Sequence, residues 1–221
     1  MMQAMSPAAI LFDNDGVLVD TEALYFRANR EILATIGVTL DETAYLELFL
    51  RTGRGAWHLA QELGHGAAAI RALRLARDRR YVELVAAAGA SVRMPRALEI
   101  VAALARRYRL AIVTSAEPEP FARTHAGTGL LPYFDVVLTR DCYRNSKPDP
   151  EPYLCALERL GLTAAQCLVI EDSRRGLQAA RAAGIACWVI PSGLTAGESF
   201  EGADAILPDL DAAAARLLPP C

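Results

Sequence analysis

Ala8-Ala9-Ile10-Leu11-Phe12-Asp13-Asn14-Asp15-Gly16 is a short apolar run that stops abruptly at two carboxylates and a glycine. Five apolar residues without helical spacing fit a strand buried on both faces, as in a parallel sheet. Leu110–Val113, Val136–Leu138, Leu168–Ile170 and Cys187–Ile190 repeat the form. Helical patterns lie between these runs. Leu98, Val101, Ala102 and Ala105 recur at helical spacing within Pro95–Tyr108, Asp149-Pro150 reads as an N-cap followed by proline, and Ser173 caps a helix ending at Gly184. Strands alternating with helices predict an α/β fold with a doubly wound parallel sheet.

The alternation fails between about Asp20 and Gly89, where only helical periodicity appears, with breaks near Gly37–Thr39, Thr52–Gly55 and Gly64–Gly66. A segment of that length is too long for a crossover connection. It predicts an inserted all-α cap over residues 19–92, carried by a core of residues 1–18 and 93–221. Hinges are expected near Val17–Asp20 and Ser91–Met94.

A chain of 221 residues, 53% hydrophobic and 22% charged, can bury a core of this kind. Its 23 basic and 26 acidic side chains give a net charge of −3, which argues against a nucleic-acid or membrane footprint. Five cysteines without C-x-x-C spacing argue against a disulfide framework and for a reducing compartment. Met1 to Ala9 has no basic or apolar leader pattern, and no apolar run approaches the roughly 20 residues that span a bilayer. A cytoplasmic protein is expected. His58, His65 and His125 show no metal-ligand spacing and are assigned no role.

In open α/β sheets ligands sit beyond the carboxyl ends of the strands. Those ends here deliver Asp13 and Asp15, then Thr114 and Ser115, then Lys147 within Ser146-Lys147-Pro148, then Glu171 and Asp172. Carboxylates gathered in a cleft repel each other unless a cation neutralises them, and a hard ion such as Mg²⁺ with oxygen ligands suits a phosphate site. The expected roles follow. Asp13 attacks phosphorus to form an aspartyl-phosphate. Asp15 protonates the leaving oxygen and later takes a proton from water. Thr114 and Ser115, with Lys147, hold the phosphoryl oxygens. Asp13, the Asp15 carbonyl and Asp172 hold the metal, with Glu171 behind them. An EF-hand reading of Asp13, Asp15, Gly16 and Glu22 fails, because its first position is Leu11 and the preceding segment is a strand.

The chain resembles the haloacid dehalogenase superfamily of phosphohydrolases. FDNDGVLVDTE (12–22), IVTSA (112–116), NSKPDPEPY (145–153) and VIEDSRRGLQAARAAGI (169–185) look like its four motifs. The helical insertion is similar to the cap of the branch holding beta-phosphoglucomutase, phosphoglycolate phosphatase and sugar-phosphate phosphatases. The resemblance implies a Rossmann-like core and the same roles for Asp13, Asp15, Thr114, Lys147 and Asp172. Asp15 argues against a dehalogenase, and the absence of lysine from 19–92 argues against a phosphonatase. Against a mutase stand Tyr25, where those enzymes carry a histidine, and Glu117-Pro118, where they place Lys-Asn.

Within the cap, Arg54 in the turn Arg51–Gly55 is expected at the substrate. Arg77 lies centrally on the apolar stripe of Ile70, Leu73, Tyr81 and Leu84, so it either snorkels to water or recognises an anionic group in the cleft. The expected activity is Mg²⁺-dependent hydrolysis of a small phosphorylated metabolite, a sugar phosphate or a phosphoglycolate-like compound. A sugar phosphomutase is the alternative. A phospho-accepting receiver module is disfavoured by the insertion and by the D-x-D pair.

Overall fold

In the computed structural model of the chain, residues 7–191 and 193–219 are described. Residues 1–6 of the leader reading and Cys221 lie outside them. The first strand, β1 (Ala9–Phe12), is dry on both faces. Ile10 and Phe12 point into one apolar cluster, while Ala9 and Leu11 point into another. Ile10, Leu11 and Phe12 contribute about 1.5–3 kcal/mol each when fully buried, which anchors the strand at the centre of the molecule.

The chain then leaves the sheet for α1 (Glu22–Ala34), α2 (Glu42–Tyr45), a π-helical turn (Leu46–Arg51), α3 (Trp57–Glu62) and the long α4 (Ala67–Ala88). These helices carry an apolar cluster of their own, built on Leu33, Leu40, Tyr45, Ala56 and Trp57. All three predicted breaks fall between helices. Gly53 and Gly55 take φ of 62° and 70° in the middle one, a backbone that side chains disfavour. The exit and return segments are tied together: Asp20 N donates to Val92 O at 2.6 Å, and Met94 N donates to Leu18 O at 3.0 Å.

After α5 (Ala97–Leu104) come β2 (Arg109–Val113), α6 (Pro118–His125), β3 (Val136–Leu138), α7 (Glu151–Leu160), β4 (Cys167–Glu171), α8 (Arg174–Ala182), β5 (Ala186–Val189), β6 (Ala205–Ile206) and α9 (Leu210–Leu217). The sheet order is β3-β2-β1-β4-β5-β6, and every neighbouring pair is parallel. The doubly wound α/β expectation therefore holds. Packed on one face are α5 and α9, and on the other α7 and α8. Cys167 and Cys187 are buried in β4 and β5.

Three local expectations shift. The helix expected over Pro95–Tyr108 is confined to Ala97–Leu104, preceded by Arg96 at φ 55° and followed by a turn. Pro150 takes the cap position of α7, while Asp149 Oδ1 accepts from Glu151 N at 2.9 Å. The sixth strand is unpredicted, being two residues long with Ile206 exposed. Among the described residues no helix is long and apolar enough to cross a membrane.

Candidate active site

Between β1 and β4 the strand order reverses direction, the place where open α/β sheets leave a crevice. Asp13 follows β1 and Asp172 follows β4. Asp13 N donates to Ile170 O at 2.9 Å, and Thr114 N to Leu138 O at 3.0 Å, so the ladder fixes both residues just beyond their strands. Asp13, Asp15, Thr114, Ser115, Lys147 and Asp172 all line one cleft of about 1340 Å³ between the sheet edge and the helical insertion. That volume exceeds the few hundred to about 1,000 Å³ typical of small-molecule sites.

Lys147 is the only lysine in the sequence. Its Nζ reaches Asp13 Oδ1 at 2.6 Å, Glu171 Oε1 at 2.7 Å and the Val113 carbonyl at 2.8 Å. Burial works against the ammonium, yet the Asp13 and Glu171 carboxylates outweigh it and hold its pKa above the ordinary lysine value. Asp13 is pushed up to about 7 by burial, with Lys147 opposing and the Glu171 and Asp15 charges adding to the rise. One ammonium thus does not fully neutralise the group.

Glu171 is fully buried. Its Oε1 accepts from Lys147 and from Tyr153 Oη at 2.6 Å, and its Oε2 from Ser173 Oγ at 3.1 Å and Asp172 N at 3.3 Å. Oxygens of Asp13, Glu171 and Asp172 lie within 4.8 Å of one another. A hard oxygen donor set carrying excess negative charge fits Mg²⁺. Protein donors engage both oxygens of Glu171.

Asp15 accepts from the Thr21 hydroxyl at Oδ1 and from Asn14 Nδ2 at Oδ2, the latter at 3.1 Å. Burial raises its pKa against those two hydrogen bonds. Thr114 Oγ1 accepts from Ala116 N at 3.0 Å. Ser115 is exposed beside it.

From the insertion, Arg54 reaches the cleft wall and is exposed. The guanidinium of Arg77 does not snorkel. It is buried, donating to the Tyr25 hydroxyl, to Asn29 Oδ1 at 3.1 Å and to Asp78 Oδ1 at 2.7 Å, and it stacks 4.6 Å over the Tyr25 ring. The stripe that holds it is lined by polar partners, which helical periodicity does not reveal.

Three further residues escape the sequence reading. Glu22, the last letter of FDNDGVLVDTE, lines the cleft, accepts from the Tyr45 hydroxyl, and is pushed up to about 7 by burial against that bond. Arg175, within the SRRG of the fourth motif, donates to the Lys147 carbonyl and packs its guanidinium against the backbone of Gly53. His125, assigned no role from spacing, is buried with Nε2 2.8 Å from Asn14 Oδ1.

A family model described as haloacid dehalogenase-like hydrolase matches residues 7–184. Protein CbbY of Rhodobacter capsulatus is 38% identical over 97% of this chain and 99% of its own length. Fructose-1-phosphate phosphatase YqaB of Escherichia coli is 32% identical over 80% of this chain and 93% of its own. A solved CbbY variant from Rhodobacter sphaeroides, in complex with xylulose-(1,5)bisphosphate, superposes with a TM-score of 0.79 at 32% identity, covering 92% of this chain and 95% of that one. With motif residues converging at the switch point of the sheet, the chain belongs to the haloacid dehalogenase-like hydrolase family.

Proposed function

We propose that this phosphoric monoester hydrolase acts on a phosphorylated sugar, and that it does so with Mg²⁺ through an aspartyl-phosphate on Asp13. The observation that carries the reading is the meeting of Asp13, Lys147 and Asp172 at one strand edge beneath a cleft walled by helices. Support for the substrate class comes from relatives named for fructose 1-phosphate and solved with a pentulose bisphosphate. Residues 19–92 are proposed to act as the cap domain and residues 1–18 and 93–221 as the core. The apolar cluster peculiar to the inserted helices favours that division. The cysteine pattern favours the cytoplasm.

In the proposed reaction an Asp13 carboxylate oxygen attacks phosphorus in line, and the bond to the sugar oxygen breaks. Asp15 delivers its proton to that oxygen as it leaves. Lys147 and the Thr114 hydroxyl hold the phosphoryl oxygens, with Ser115 beside them. Water then attacks phosphorus, Asp15 takes its proton, and inorganic phosphate departs as Asp13 is regenerated. Asp13, Asp172 and the Asp15 carbonyl would hold Mg²⁺, which would supply charge neutralisation for an anionic nucleophile meeting an anionic substrate. Hydrolysis is favoured over the mutase alternative by Glu117, a carboxylate on the cleft wall where the resemblance to the mutases would call for a Lys-Asn pair. The Tyr25 hydroxyl, in turn, is already engaged by Arg77.

The test is phosphate release from fructose 1-phosphate, xylulose 1,5-bisphosphate and phosphoglycolate, with Mg²⁺ and with EDTA. Mg²⁺-dependent release from a sugar phosphate is expected. An isomerised product that keeps its phosphate would place the protein with the mutases.

A further inference from the structure

A polar chain runs from Asp15 into the core, away from the cleft. Asp15 Oδ2 lies 3.1 Å from Asn14 Nδ2, Asn14 Oδ1 lies 2.8 Å from His125 Nε2, and His125 Nδ1 lies 3.0 Å from Thr128 Oγ1. Asn14, His125 and Thr128 are all buried. A buried asparagine at this point of a strand end needs partners for both halves of its amide.

The direction of each bond follows from the carboxylate. An ionised Asp15 only accepts, so Asn14 presents its N–H to Asp15, and its carbonyl then requires a donor. His125 Nε2–H is that donor. Burial holds His125 down at about 4, so the ring is neutral and carries a single N–H. Nδ1 is therefore bare and accepts from the Thr128 hydroxyl. That hydroxyl also lies 3.2 Å from the His125 carbonyl, but donation there would call for Nδ1–H and leave two acceptors facing each other at 2.8 Å. Phe121, its ring centroid 4.4 Å from that of His125, packs against the imidazole.

We propose that His125 is a positioning residue for hydrolysis: its Nε2–H locks the Asn14 amide so that an N–H faces Asp15. Without that lock the amide can turn over and set its carbonyl against the carboxylate, which would push Asp15 off the leaving oxygen. The proposal rests on the reading of Asp15 as the leaving-group acid.

The experiment compares kcat/KM for p-nitrophenyl phosphate, whose phenolate leaves without a proton, with that for phenyl phosphate, whose leaving oxygen needs one more. His125→Met is expected to raise the ratio of the two by about tenfold or more, since positioned proton transfer contributes about 10²–10⁴. His125→Gln, which restores an N–H at similar reach, is expected to bring the ratio most of the way back. Asn14→Leu should raise it as His125→Met does, and the double variant should add little because the two act as one unit. Asp15→Asn separates the two claims. An unchanged ratio there overturns the acid role of Asp15, and the His125 proposal with it. A raised ratio in Asp15→Asn with an unchanged one in folded His125→Met overturns the positioning role alone. If His125→Met does not fold, Asn14→Leu decides by the same criterion.

Discussion

Lys147 Nζ stands 2.6 Å from Asp13 Oδ1, joining residues 134 positions apart, and the same ammonium holds Glu171 at 2.7 Å. All three groups are almost dry, with side-chain exposures of 5%, 13% and 0%. Removing the cation leaves two carboxylates with much less to oppose them. Lys147→Met is expected to lower stability by about 3–5 kcal/mol near neutral pH, as removal of one partner of a buried pair does. The deficit should shrink toward pH 5 as Asp13, pushed up to about 7 by burial, takes up a proton. Urea melts at the two pH values check it, and equal melts for variant and wild type would contradict it. Activity toward p-nitrophenyl phosphate should fall by about 10²–10³, the scale of a lost electrostatic stabiliser.

Glu171 is held in place by Gly176. A Cβ on Gly176 would lie 1.8 Å from Glu171 Cδ and about as close to both carboxylate oxygens. Helix propensity favours alanine over glycine inside α8 by about 1 kcal/mol. The collision outweighs that gain, so Gly176→Ala is expected to lose about 1–3 kcal/mol, the usual cost of overpacking. Activity should fall with it, because Glu171 carries Lys147. A variant that melts at or above the wild type contradicts the packing.

Arg77 spends its guanidinium on Tyr25, Asn29 and Asp78. Arg77→Met should therefore act first on stability, by about 1–3 kcal/mol for the polar groups left unpaired. KM for p-nitrophenyl phosphate should stay near the wild-type value. A raised KM with unchanged stability would instead assign Arg77, which also lines the cleft, to substrate recognition.

His125 gives stability a pH signature. Burial lowers its folded pKa from 6.5 to about 4, so the unfolded chain binds a proton there that the folded chain does not. The contribution is complete above pH 6.5 and is lost as pH falls toward 4, about 3 kcal/mol at one proton per titration. Urea melts between pH 7.5 and 4.5 should show the wild type losing more stability than His125→Gln. Parallel curves would contradict the neutral buried ring.

The sheet and the motif residues were legible because short buried runs end in chemistry: β1 stops at Asp13, β2 at Thr114 and β4 at Asp172. Periodicity carries no information on which distant side chains meet. Nothing in the spacing joins Asn14 to His125, or Arg175 to Gly53. Glu22 was hidden for a different reason, since an acidic residue in the first turn of a helix is ordinary. β6 has too few residues to show a pattern, and the π-helical turn at Leu46–Arg51 has the composition of any helix. Arg77 lies on its stripe as expected, but its burial depends on Tyr25 and Asn29 of α1 as well as on its neighbour Asp78, and the α1 partners are not encoded in its own helix.

The central claim is that Asp13 is the nucleophile. Its most direct test is mass spectrometry of protein acid-quenched during turnover of p-nitrophenyl phosphate with Mg²⁺, run beside phosphate release by Asp13→Asn. The wild type is expected to carry one phosphoryl group on the peptide containing Asp13, and Asp13→Asn to show neither adduct nor turnover. Substantial Mg²⁺-dependent turnover by Asp13→Asn would contradict the account.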